Sequence, residues 1–199
     1  MLEGLLVDLV PYGQKFTELE PVWRNNESAF WSSGGDRHVV SRASIQRQAE
    51  QWAEEAERQG PARSVMFGVQ TKDGTPIGFF SLNWLVPHSR LAMLGARIGD
   101  PAYWGGGYGT DALLLLTDYA FDWLDMRKVW LSTTATNARV MRQMEKVGFS
   151  LESRDRRTAW QDGAWVDGLI YGLLREDWPG REAVIARIGL RAKGGGHAA

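Results

Sequence analysis

The chain has 199 residues, 44% of them hydrophobic, a formal net charge of −1, ten tryptophans and no cysteine. That length and apolar fraction suit one domain with a substantial core, and the near-zero charge argues against broad attraction to nucleic acid or an anionic membrane. Without cysteine there are no disulfides, thiolate metal sites or cysteine nucleophiles. In chain order, LLVDLVPY (5–12) reads as a first strand closed by Pro11 and Gly13. Residues 14–31 carry a weak helical pattern running into a loop at WSSGGD. Ser41 fits the N-cap of a helix over 43–58 that stops at Gly60-Pro61. SVMFGVQ (64–70), the turn TKDGTP and IGFFSLNWLV (77–86) predict a hairpin, and LAMLGARI (91–98) a further strand.

The clearest element follows. Ala112, Leu115, Leu116, Tyr119, Ala120, Trp123 and Leu124 recur at the spacing of one helix face. KVWLSTT (128–134) reads as a strand and NARVMRQMEKV (137–147) as a helix ended by Gly148. Strands over 149–160 and 165–174 flank the turn QDGA. The order β-α-α-β-β-β-α-β-α-β-β predicts a mixed α/β domain over residues 1–180 with a central antiparallel meander. Residues 181–199 are left as a tail, with an extra helix from Arg181 to Leu190 expected to pack on a neighbour, as in a homodimer, and frayed residues at AKGGGHAA. The start, MLEGLLVDLVPYGQ, lacks the basic and long apolar runs of a signal peptide, and no stretch approaches the ~18 apolar residues of a spanning helix. A soluble, cytoplasmic protein is the expectation.

One stretch calls for a special explanation. IGDPAYWGGGYGTD (98–111) sets four glycines within five residues against the start of the clearest helix. Backbone N–H groups at a helix N-terminus bind phosphate, and glycines let a ligand approach them closely. Two readings fit: a phosphate cradle, or a tight strand-to-helix turn with no ligand. No Gly-Lys-Ser/Thr occurs near this helix, so it is not a P-loop. The register from Gly105 ends at Thr110, so the dinucleotide fingerprint fails too.

Residues 98–121 resemble the acyl-CoA-binding motif of the GNAT N-acetyltransferase superfamily. Its Gln/Arg-x-x-Gly-x-Gly/Ala core is matched by Trp104-x-x-Gly107-x-Gly109, with tryptophan departing from the usual first residue. The run D-P-x-Y-W-G-x-G-Y-G-T is similar to the RimJ/RimL-like branch of ribosomal-protein N-terminal acetyltransferases. NARVMRQMEKVGF from Asn137 and DGLIYGLLREDW (167–178) resemble later segments of that branch, in the same order. The resemblance covers roughly residues 64–178. It implies a GNAT fold: one mixed, mostly antiparallel sheet of about six or seven strands, flanked by helices and splayed in the middle for acyl-CoA.

By the same resemblance acetyl-CoA is the cosubstrate; no metal is expected, and the near-zero charge speaks against nucleic acid and membrane as partners. Ile98, Trp104, Gly105, Gly106, Gly107, Tyr108, Gly109, Thr110 and Asn137 would form its site. The loop would hold the pyrophosphate. Thr110 would cap the helix or reach a phosphate, and Asn137 would touch the cofactor arm or cap its own helix. The arm would enter where the strand ending at Ile98 parts from the strand 128–134, and a backbone N–H near Arg97 or Ile98 would stabilise the oxyanion. Relatives often carry an acid or base at the places aligned with Met93, Val140 and Met144, and none is usable here. Asp100 and Tyr171 are the named candidates for proton transfer. His38 and His88 fit surface loops, and Arg139 and Arg142 face either an adenosine phosphate or solvent. Trp23, Glu27, Phe30, Trp31 and Asp36 lie in the segment expected to wall an amine acceptor of unknown identity. Three functions stand at this point: an N-acetyltransferase working by direct transfer, a non-catalytic acyl-CoA sensor, and a scaffold whose glycine loop is only a turn.

Overall fold

The computed structural model describes residues 1–32, 39–58 and 64–192. Asp36, His38, the stop at Gly60-Pro61 and most of the terminal AKGGGHAA lie outside them. At the centre is an eight-stranded sheet in the order β1-β2-β3-β4-β5-β6-β8-β7. Its strands are β1 (Leu2–Glu3), β2 (Val7–Pro11), β3 (Ser64–Thr71), β4 (Pro76–Val86), β5 (Leu91–Ile98), β6 (Lys128–Thr134), β7 (Ser150–Gln161) and β8 (Ala164–Leu174). Every neighbouring pair is antiparallel except β5–β6.

The helices are α1 (Gln14–Thr17), α2 (Glu20–Trp23), α3 (Glu27–Ser32), α4 (Arg42–Arg58), α5 (Tyr108–Asp118), α6 (Ala138–Val147) and α7 (Arg181–Ile188). Alternation along β3 separates the layers. Phe67 meets Tyr119, just past α5, with ring centres 5.2 Å apart. Gly68, next in sequence and so on the opposite face, is covered by Phe16 of α1, whose ring lies 2.2 Å from where a Cβ would stand. The core lies between the sheet and α5, which is buried all round: Ala112, Leu113, Leu114 and Leu116 are at most 1% exposed.

Most predicted elements are present, and the departures have local causes. The weak helix over 14–31 breaks into three short ones. Pro21 sits in the first turn of α2, and the Asn26 carboxamide, accepting from Ser28 N–H at 2.8 Å, restarts the chain as α3. Ser41 caps α4 as expected, its hydroxyl accepting from Ser44 N–H at 3.1 Å. Trp123 does not join the buried face. After Asp118 the helix widens into a π turn over Tyr119–Trp123, with Leu124 N–H bonded to Tyr119 O. The extra residue rotates Trp123 outward, 77% exposed and stacked on Tyr119. The tail helix also differs: α7 packs on its own chain, with Val184 fully buried in the common core.

The additional strand β1 forms because residues 4–7 turn back on β2, and that turn is held from far away. Asp111, in the first turn of α5 and fully buried, accepts from Leu6 N–H at 2.7 Å and Val7 N–H at 3.2 Å. Its other oxygen takes the Arg181 guanidinium at 3.1 Å. One carboxylate therefore ties β2, α5 and α7. Asp111→Ala leaves two amides and a guanidinium facing a void, and should cost about 3–5 kcal/mol. Urea unfolding measures this directly, and a loss below about 1 kcal/mol would show that the anchor is dispensable.

Candidate functional site

β5 and β6 pair over only three residues, Leu91–Met93 against Lys128–Trp130. Beyond that point β5 stays on β4 as far as Ile98, and β6 stays on β8 as far as Thr134. The sheet therefore opens between them. Backbone alternation shows which groups line the opening. Gly99 N–H donates to Ile77 O at 2.8 Å, so residues 95 and 97 also bond toward β4, while Ala96 and Ile98 turn their N–H and C=O groups into the gap. Of the two places expected for an oxyanion donor, Ile98 faces the gap and Arg97 faces β4.

The glycine loop closes the wide end of this gap. The Asp100 carboxylate accepts from Ala102 N–H at 2.9 Å and caps the short turn Pro101–Tyr103. Gly105 and Gly107 follow with φ of +77° and +89°, a region that favours glycine. A Cβ on Gly105 would meet nothing within 4 Å, whereas one on Gly107 would lie 2.9 Å from Leu190 Cδ1 and 3.0 Å from Leu6 Cδ1. Gly107 is thus backed by protein and Gly105 is open. Gly107 is the N-cap of α5 and no side chain caps the helix, so its first-turn amides face the loop's concave side. Tyr108 opens the helix, edge-on to Tyr103 at 5.2 Å. The Thr110 hydroxyl does not cap. It accepts from Gln143 Nε2 of α6 at 3.3 Å, and Gln143 also lies 3.7 Å from where a Cβ on Gly109 would be.

Trp104 holds the two arms of the gap together. Its indole N–H donates to Ile98 O at 2.9 Å, and the Arg139 guanidinium of α6 lies 3.8 Å from its ring centre. Burial lowers the Arg139 pKa and Glu27 raises it, so α3 supplies a carboxylate near the same stack. Arg142 is exposed. Asn137 is buried, and its Oδ1 accepts from Val140 N–H at 3.3 Å as the N-cap of α6.

Around the opening the places aligned with the missing acid and base remain apolar, with Met144 2% exposed and Val140 packed on the core. Tyr171 on β8 is opposite Leu131, the first β6 residue beyond the last pair with β5. It is 2% exposed, and burial, with Glu145 nearby, pushes its phenol pKa up, so it stays protonated. His88 is exposed in the turn Pro87–Ser89 before β5, roughly 23 Å along the strand from Ile98. Trp23 and Phe30 are buried, Trp23 against Gly99, and Asn26 donates to Gly99 O at 2.8 Å.

Several neighbours went unread in the sequence. On the α1–α3 face of β4 and β5, Ser81 is buried with its hydroxyl 2.6 Å from where a Cβ on Gly95 would stand, and Asn83 reaches it at 3.4 Å. Tyr12 donates to Glu20, and its ring stacks on Phe16 and meets Phe79 edge-on. Burial and Glu20 push the Tyr12 phenol pKa well up. The Arg97 guanidinium lies over Phe79 at 5.4 Å. These residues come from four separate segments, and no spacing along the chain connects them.

Trp104→Phe keeps the ring under Arg139 and deletes the donor to Ile98. A lost hydrogen bond of about 1 kcal/mol should lower the thermal midpoint by about 2–4 °C. An unchanged midpoint in differential scanning calorimetry would show that the indole does not tie the loop to β5.

Among the described residues no group of three or more His, Asp or Glu is placed to hold a metal ion, and no helix is long and apolar enough to cross a membrane. Comparison with known proteins agrees with the geometry. A family model described as "Acetyltransferase (GNAT) domain" matches residues 14–150. "Probable N-acetyltransferase YjcK" of Bacillus subtilis is 31% identical over 137 residues, covering 67% of this chain and 74% of that one. Among solved structures, Mycobacterium smegmatis RimJ in complex with CoA-disulfide superposes with a TM-score of 0.77 at 20% identity, covering 94% of each chain. The spermidine N-acetyltransferase of Vibrio cholerae in complex with CoA and spermine superposes with a TM-score of 0.75 at 17% identity, covering 86% of this chain and 96% of that one. With the splayed sheet and the glycine-capped helix beside it, these matches place the chain in the GNAT family of N-acetyltransferases.

Proposed function

We propose that the chain moves an acetyl group from acetyl-CoA to a primary amine by direct transfer in a ternary complex, in the manner of the RimJ/RimL-like branch. The observation that carries this reading is the gap between β5 and β6, whose parted edges lead to a helix start with no side-chain cap beside the open Gly105. The residues fit the cosubstrate. Amides at Gly105–Thr110 would hold the pyrophosphate, and Ala96 and Ile98 would pair with the arm as an added strand does.

In the transfer, the neutral amine nitrogen attacks the thioester carbon and a C–N bond forms. A gap-facing N–H of β5 donates to the oxyanion as charge builds. Collapse breaks the C–S bond, the amine proton passes to water, and the thiolate takes a proton. With Asp100 engaged in its turn, we assign that last proton to Tyr171. Having no cysteine, the chain offers no acyl-cysteine route. A protein N-terminus and a polyamine, as in the spermidine N-acetyltransferase above, are the two acceptor classes that follow from this reading.

A second reading, acyl-CoA binding without turnover, draws on one observation: Met93, Val140 and Met144 put no titratable group where relatives often have one. Titration calorimetry with acetyl-CoA, CoA and NADH, followed by thiol release over an amine panel, tests both. Micromolar acetyl-CoA binding with turnover of an amine is expected, and binding without turnover of any amine would favour the sensor.

Gly105→Glu sets a carboxylate on the open side of the loop. It should weaken acetyl-CoA binding by about tenfold or more, while the strained φ costs the fold about 1–2 kcal/mol. Wild-type affinity in this variant would remove the pyrophosphate from the loop. Tyr171→Phe should lower kcat by about 10²-fold with acetyl-CoA affinity unchanged. Because burial raises the Tyr171 pKa above its ordinary 10.0, the donor stays protonated through neutral and mildly alkaline pH. The rate should therefore climb as the amine deprotonates, with no fall before pH 10. A fall between pH 7 and 9 would assign the proton to another group.

A further inference from the structure

The helix α7 reaches both elements that wall the glycine loop. At its start Arg181 pairs with buried Asp111 in the first turn of α5. Near its end the Arg187 guanidinium donates to Val147 O at 3.0 Å and Lys146 O at 3.4 Å, the last carbonyls of α6. The chain then turns through Gly189 at φ +66°, which sends Leu190 behind the loop, its Cδ1 2.9 Å from the place of a Cβ on Gly107. Val184, fully buried, fastens the middle of the helix to the core.

A run of glycines has no side chains with which to fix its own shape, and ordering it only when a ligand arrives costs affinity. Here Gly107 holds φ +89° with Leu190 and Leu6 filling the space behind it. The rigidity the loop cannot supply comes from outside it. We infer that α7 and Leu190 preorganise the glycine loop, so that Leu190 is a positioning residue that sets acyl-CoA affinity without touching the ligand. This rests on the acyl-CoA reading above. It also gives the tail helix a task within its own chain.

The test is titration calorimetry with CoA, beside thermal midpoints without ligand, for wild type, Leu190→Ala, Leu190→Met and, as a core control away from α7 and the loop, Leu173→Ala on β8. Leu190→Ala should weaken CoA binding about fivefold, the scale of residues that act without ligand contact, while Leu190→Met, which conserves volume, restores it. Leu173→Ala should lower the midpoint more than Leu190→Ala and leave CoA affinity as in wild type. Equal affinity in Leu190→Ala and wild type would overturn the inference, as would a loss in Leu173→Ala matching that in Leu190→Ala, since general destabilisation would then explain both. Should wild type itself not bind CoA, the acyl-CoA reading falls and this inference with it.

Discussion

Everything around the site depends on β5 and β6 being parallel neighbours that part after three residue pairs. Parallel strands cannot be joined by a hairpin, so the chain must cross over, and here the crossover is the glycine loop with α5. It has to leave β5 at Ile98, where the two strands have already separated. The start of α5 consequently faces the opening. Strand groups parted from β6 and helix amides without a side-chain cap lie in the same place because one chain reversal brings both there.

Such an opening needs support, since two arms of a sheet without mutual hydrogen bonds would close or drift. Three contacts keep its width. Trp104 spans from Ile98 to Arg139, Gln143 reaches Thr110, and Asp111 fixes the helix start to β2 and α7. The buried Asp111 contact has large energetic consequences because its partners are amides and a guanidinium that would otherwise lack water. Ion pairs such as Arg90–Asp125, where both side chains are at least half exposed, contribute little by comparison.

The site is poor in titratable groups, and this shapes the chemistry. On the proposed reading the thioester is already activated, so placing a neutral amine beside it and meeting the oxyanion with a fixed N–H would account for much of the barrier. Apolar Met144 and half-buried Val140 and Met93 are compatible with that economy. The polar groups that do occur, Ser81, Asn83 and the Tyr12–Glu20 pair, stand on the α1–α3 face of the sheet, across from the core.

Local patterning made much of this legible in the sequence. The Asp73-Gly74 hairpin, the strand 91–98, the glycine loop with its helix and the Asn137 helix were all readable, because turn chemistry and helix periodicity are properties of neighbouring residues. So was the parting of the strands, through resemblance. Position in space was not. Nothing near Asp111 announces that its carboxylate meets Leu6, Val7 and Arg181, more than sixty residues away on either side. The π turn that exposes Trp123, the Gln143 contact that takes Thr110 from its expected cap, and the return of α7 onto its own core also depend on packing. Sequence alone determined which backbone would be bare and most of the elements that form. The tertiary structure decided which of the two expected amides, Arg97 or Ile98, faces the gap, and which glycine is open. Strand pairing and the partners behind each residue set those directions, and both arise only when distant segments meet.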